Sequence, residues 1–180
     1  MSAQLKDQAI SIAVLNRLHR DQFVDLLGDI VERSPWVAER AFAKQPFLSV
    51  EDLHLKLMNC IHESSHDEKR ALFNRHPELA GSEAIAGEMT GHSTDEQGRL
   101  GLNRLPARQF EHLSRLNRDY RAKFGFPFIA AMRLHQNLDS VMSQFEARMQ
   151  NDIETEIDQT LRQISEIVWG RLGRLFQADP

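Results

Sequence analysis

The sequence predicts an all-α protein on three observations. Apolar residues recur at three- and four-residue steps through most of the chain, serine and proline stand before those rows as helix starts, and no alternating run is bounded by hairpin signals. The expected architecture is a single domain over residues 1–180, a bundle of about seven to eight helices with one long glycine-rich functional loop.

Taken in order, residues 21–31 place Phe23, Leu26, Leu27 and Ile30 on one side of a helix. Ser34-Pro35-Trp36 starts a second, with Ser34 as N-cap and Pro35 in the first turn. Ser49-Val50-Glu51-Asp52 is a capping-box-like start for a third, whose buried row is Leu53, Leu57 and Ile61. Ser65 or Asp67 caps a fourth that ends near Arg75. Residues 76–104 then hold five glycines (Gly81, Gly87, Gly91, Gly98, Gly101) and little apolar periodicity. A segment of that length without strong period is expected to be a functional loop. Pro106 restarts helix, with Phe110, Leu113, Leu116 and Tyr120 as its stripe and Gly125 as its stop. Further helices are expected over residues 132–148 and about residues 152–176.

Composition narrows the function. With 41% hydrophobic and 27% charged residues, 180 residues are enough for a real core in an ordinary globular protein. A net charge of −4 gives no global pull toward nucleic acid or an anionic membrane. Apolar runs are too short for a membrane span. The first residues, MSAQLKDQAI, do not read as a secretory signal, and the last three do not form a peroxisomal address. The single cysteine, Cys60, allows no internal disulfide and reads as a core residue. We therefore expect a cytoplasmic protein. No Cys/His metal spacing and no glycine-rich phosphate loop appears, so an enzyme of this sequence is expected to work without metal or cofactor.

Some polar residues stand where helical packing does not ask for them. Proline disfavours the α region for the residue before it, so His76, before Pro77, is expected at a helix end beside the glycine-rich stretch. Seven other histidines lack such surroundings. In the last helix the apolar row is Ile153, Ile157, Leu161, Ile164, Val168, Leu172 and Leu175. Arg171 falls within roughly 20° of Ile164, inside that stripe. It is either a snorkelling side chain with its head in water or a guanidinium presented to the interior, where its planar fork can hold a carboxylate. Ser93-Thr94-Asp95-Glu96-Gln97 reads as a capping box, with Ser93 as cap. A capped helix start can also aim Glu96 and Gln97 into a cleft. Phe126-Pro127-Phe128 favours extended backbone whose N–H and C=O groups are open to a ligand. The residues alone point to an all-α domain with a candidate His/Glu/Arg pocket.

At these residues the chain resembles the 2-oxo-4-hydroxy-4-carboxy-5-ureidoimidazoline (OHCU) decarboxylases of urate breakdown. The matching pieces run from Phe23 and Glu32-Arg33-Ser34-Pro35-Trp36-Val37-Ala38-Glu39 through His76-Pro77-Glu78-Leu79-Ala80-Gly81. They continue with Thr90, Ser93, Glu96 and Gln97, then Gly101-Leu102, Asn117-Arg118-Asp119-Tyr120 and Lys123-Phe124-Gly125-Phe126-Pro127-Phe128. Arg148, Asn151, Glu156 and finally Ile167 with Arg171-Leu172 complete the pattern. The resemblance implies cofactor-independent decarboxylation of OHCU to (S)-allantoin, downstream of urate oxidation and 5-hydroxyisourate hydrolysis. It implies His76, Glu96 and Arg171 as catalytic residues. Pro77, Ser93, Thr94, Asp95, Glu96, Gln97, Phe128, Ile129, Ala130, Ala131 and Met132 would line the substrate site. A homodimer acting on a small molecule, with no nucleic-acid or membrane partner, is implied as well. Two rival readings are a helical interaction module and a histidine-dependent hydrolase of a ureido compound.

Overall fold

Side-chain caps start most helices of the first half of the chain. In the computed structural model, which describes residues 10–176, Ser11 accepts from Val14 N and opens α1, Ile12–Leu15. α2, Arg20–Leu27, buries Phe23, Leu26 and Leu27. It stops at Gly28, short of the expected residue 31, because glycine is a poor helix former and the next residues turn. Ile30 and Val31 stay buried in that turn, which passes through Arg33 at φ +44°. Ser34 is not a side-chain cap, contrary to expectation: its hydroxyl donates to Glu32 O at 2.9 Å, inside the turn. Pro35 does occupy the first turn of α3, Pro35–Phe42. Ser49 caps α4, Val50–His62, and Leu53, Leu57 and Ile61 are its buried row, together with Met58 and Cys60. Ser65, not Asp67, caps α5, His66–Phe73, and Glu68 returns a bond to Ser65 N at 2.9 Å.

These helices belong to one compact unit, Met1–Arg75 with Val168–Pro180; His76–Ile167 forms a second. In the first, Phe23 packs edge-on to Phe42 and stacks on Phe47. Asn16 secures Phe47 with both ends of its amide, accepting from Phe47 N at 2.8 Å and donating to Phe47 O at 2.7 Å.

In the second unit the expected loop carries three helical pieces: α6, Ser82–Ala86; α7, Gly91–Gly98; and a 3-10 turn, Leu102–Arg104. Thr90, not Ser93, is the N-cap of α7, accepting from Ser93 N at 3.3 Å. α8, Ala107–Phe124, ends on Gly125 at φ +79°, whose N–H returns to Arg121 O. Its buried row is Leu113, Asn117, Tyr120 and Phe124, so Asn117 takes the inner place expected of Leu116. The helix expected over residues 132–148 is broken into a 3-10 turn, Met132–Leu134, and α9, Leu138–Arg148, restarted by an Asn137 cap on Ser140 N. α10 is Ile153–Phe176. The described residues thus hold ten α-helices and no strand.

α10 carries two buried rows. Leu161, Ile164, Val168 and Leu172 form the expected one, although Ile153 at its start is exposed. Beside it Glu156, Thr160, Gln163, Ile167 and Arg171 are also buried, at successive steps of four, three, four and four. A polar row inside a helix demands partners.

Candidate active site

His76 stands two residues beyond Asn74, the C-cap of α5, and is buried. The chain then turns sharply, with Gly81 N bonded to Glu78 O at 3.2 Å and Ala80 at φ +49°. A left-handed alanine is uncommon and persists where the surroundings over-determine it. Two amides do so here. Gln97 accepts from Ala80 N at 3.0 Å and donates to Glu78 O at 3.3 Å, while Asn117 donates to Leu79 O at 2.9 Å. Gly81 completes the turn, since a Cβ there would stand 2.8 Å from Glu78 Cβ.

Gln97 ties this turn to α7, so the residues following His76 and the helix bearing Glu96 are joined through one side chain. Along α7, Ser93 and Gln97 are buried, Glu96 is half-buried, and Thr94 and Asp95 are exposed. The spacing of three and four residues puts Ser93, Glu96 and Gln97 on one face. Thr94 turns back to donate to Thr90 O at 2.9 Å.

The segment after α8 is held from several sides. Tyr120 meets Phe124, Phe126, Phe128 and Phe145, and Phe128 stacks on Phe145 with ring centres 3.9 Å apart. Arg148 stands over the Phe128 ring at 4.5 Å and donates to Ile129 O at 2.7 Å. The same guanidinium donates to Glu156 Oε1 from Nε at 2.8 Å and to Thr160 at 3.1 Å. Glu156 also accepts from the Tyr120 hydroxyl and, at 2.7 Å, from Asn151. Burial pushes the Tyr120 pKa well above the ordinary phenol range. Further along, Gln163 accepts from Ala131 N at 2.8 Å. Arg99, the C-cap of α7, donates to Met132 O and to His135 O, linking α7 to this segment. His135 itself is a buried side chain between Ser140 and Gln144. The expectation of open backbone after Phe126 therefore holds only in part: Ile129 O and Ala131 N are taken, and Ala130 makes no hydrogen bond among the described residues.

Arg171 belongs to the first unit. Its guanidinium does not snorkel: only 1% of the side chain is exposed, and Nη2 donates to Glu32 Oε2 at 3.0 Å. Nη1 reaches Asp29 O and Ile30 O at 3.3 and 3.4 Å. The odd turn around Arg33 and Ser34 is what brings Glu32 inward. Arg75 donates to Arg33 O and secures the same turn.

Arg171 stands out in the sequence, whereas Glu32, Asn117, Arg148 and Glu156 enter only as parts of the family pattern, and Thr160 and Gln163 not at all. A signal existed for one of them, since Thr160 lies within about 40° of Ile164 on the helix, inside the stripe like Arg171. No local spacing joins Glu32 to Arg171, because the two lie 139 residues apart. Among the described residues no group of three His, Cys, Asp or Glu side chains is placed to hold a metal ion.

The described residues form an all-α protein with a buried histidine shortly before a tight turn and two buried carboxylate–guanidinium pairs. The sequence model of the family described as OHCU decarboxylase matches residues 16–173. The chain belongs to the OHCU decarboxylase family. It is 35% identical to the 2-oxo-4-hydroxy-4-carboxy-5-ureidoimidazoline decarboxylase of Halalkalicoccus jeotgali, covering 92% of both chains. It is 32% identical to the Xenopus laevis protein of that name, covering 93% of this chain and 95% of the other. Among solved structures it is similar to a crystal structure of (S)-allantoin synthase, with a TM-score of 0.68 and 26% identity over 91% of this chain. It spans about half of that longer chain, 53%. An OHCU decarboxylase crystallised in the presence of (S)-allantoin, 17% identical over 79% of this chain and 91% of the other, shares the fold with a TM-score of 0.62.

Proposed function

We propose that the protein decarboxylates 2-oxo-4-hydroxy-4-carboxy-5-ureidoimidazoline to (S)-allantoin in urate degradation. One observation carries the reading: the family match runs unbroken over residues 16–173, and decarboxylases of the same length match along nearly their whole chains. The interaction-module and hydrolase readings have no such support. The continuous match also supports treating the chain as one functional domain. A uric acid degradation bifunctional protein of Bacillus, 36% identical over 91% of this chain, contains a comparable stretch within 32% of its length. That relative supports placing the reaction after urate oxidation and ring hydrolysis. A homodimer belongs to the same reading and rests on the family resemblance; a cytoplasmic location rests on the single cysteine and the terminal sequences.

The chemistry needs one proton managed on one face. The substrate carbon that loses CO₂ also bears a hydroxyl, and its ring neighbour bears the ureido group and a C=N bond. As the C–C bond breaks, its electron pair moves into that C=N system. The hydroxyl proton must then leave, one proton must arrive on the ureido-bearing carbon, and the ring nitrogen takes one from solvent. In this reading His76 takes the hydroxyl proton and returns it to carbon. Imidazole suits both tasks because its ordinary pKa is about 6.5. Glu96 orients that ring or holds a ureido N–H. Arg171 stabilises charge moving onto the ring as CO₂ leaves, since gripping the departing carboxylate would stabilise the ground state instead. Pro77, Ser93 to Gln97 and the backbone of residues 128–132 complete the binding surface.

The test follows freshly generated OHCU by optical activity. OHCU decays unaided to racemic allantoin, so enantiomeric excess is the readout. An excess of (S)-allantoin with CO₂ released and no ammonia supports the reading; a racemate at the unassisted rate sinks it.

A further inference from the structure

We infer that the buried Arg148–Glu156 pair is a positioning device that sets substrate affinity through the backbone of residues 129–131. This rests on the functional reading above and deepens it.

Arg148 Nη1 holds Ile129 O at 2.7 Å, and Gln163 Oε1 holds Ala131 N at 2.8 Å. Those two atoms belong to the peptide bonds on either side of Ala130. Across a trans peptide the N–H points opposite to the C=O. Fixing Ile129 O toward Arg148 therefore turns Ala130 N–H away from it. Fixing Ala131 N toward Gln163 turns Ala130 C=O away from that side chain.

Ala130 is 7% exposed, and neither its N–H nor its C=O is hydrogen-bonded among the described residues. Two backbone groups so placed are costly unless something meets them. One donor and one acceptor on a single residue match a urea or amide edge, which presents a C=O beside an N–H. The ureido arm of the substrate has that edge.

The pair is built to hold rather than to react. Glu156 is fully buried and takes Arg148 Nε and Nη2 on one oxygen, at 2.8 and 2.5 Å, and Asn151 on the other. Thr160 and the Phe128 ring fill the remaining sides of the guanidinium. Stability alone does not require an ion pair here, since apolar residues of similar volume commonly replace buried pairs without loss. An apolar pair, however, cannot hold Ile129 O.

That difference supplies the test. The double variant Arg148→Met/Glu156→Leu is assayed for KM, kcat and melting temperature beside the wild type. Melting near the wild-type value with KM raised about tenfold or more, and kcat changed less, is the expected result. A folded double variant with wild-type KM overturns the inference. If that variant does not fold, Thr160→Val removes a single contact to the guanidinium. A KM raised about threefold then supports the inference, and an unchanged KM overturns it. A wild-type protein that yields only racemic allantoin overturns the functional reading itself, a result distinct from wild-type activity preserved in the variants.

Discussion

Arg171 and Glu32 show how a charged side chain is kept inside a helix stripe. A lone buried guanidinium is expensive, and Glu32 together with two carbonyl groups makes it tolerable. Glu32→Ala leaves the cation unmatched and should cost about 3 to 5 kcal/mol. For a chain of this length that lowers the melting temperature on the order of 10 °C, and an unchanged melt would refute the pairing. Arg171→Lys keeps the charge but loses the planar fork, so activity should fall well below wild type while the fold persists. His76→Asn should remove the enantiomeric excess and cost about 10² to 10⁴ in rate, with the helical circular dichroism unchanged. Wild-type turnover in that variant would displace His76 from its assigned role. Arg171 was visible at its helix position because helical angles need only local sequence. Its partner was not, because a turn through a positive-φ arginine decides where Glu32 points.

Among elements, α7 is the one whose formation is least supported by its own sequence. Its residues, GHSTDEQG, are polar on nearly every side and begin and end with glycine, so neither periodicity nor propensity announces a helix. It forms because Thr90 caps it, Gln97 docks on the turn after His76, and Arg99 ties its end to Met132 and His135. Thr90→Ala should therefore destabilise α7 by about 1 kcal/mol. Amide exchange in α7 should rise and kcat/KM should drop, while the global melting temperature barely moves. Unchanged exchange would mean that docking alone holds the helix. By contrast, the Ser49 and Ser65 caps and the Gly125 stop were legible, since capping chemistry lies within four residues of sequence. The break after Leu134 escaped because Asn137 as a cap is masked by apolar spacing on both sides.

For the molecule as a whole, stability should carry a signature from His135. Burial lowers its pKa from the ordinary 6.5, so the unfolded chain binds a proton more readily than the folded one. At neutral pH and above the group contributes no pH dependence. As pH falls through about 6.5, protonation favours the unfolded state, and stability declines until the lower folded-state pKa is passed. Denaturant unfolding at pH 7 and pH 5 should show a larger loss in wild type than in His135→Gln. Equal losses would assign the acid sensitivity elsewhere.

The sequence by itself determined the helical class, the helix starts at Ser49 and Ser65, the stop at Gly125 and the family pattern. Each is encoded in residue types over short spacings, where backbone sterics and side-chain capping act directly. Only the tertiary structure decided that Arg171 is buried against Glu32, that Gln97 braces the strained turn at Ala80, and that Arg148 and Gln163 turn Ala130 outward from themselves. Those outcomes depend on desolvated charges and amides finding partners tens of residues away. The demand for a partner is written in the sequence; its identity comes from packing.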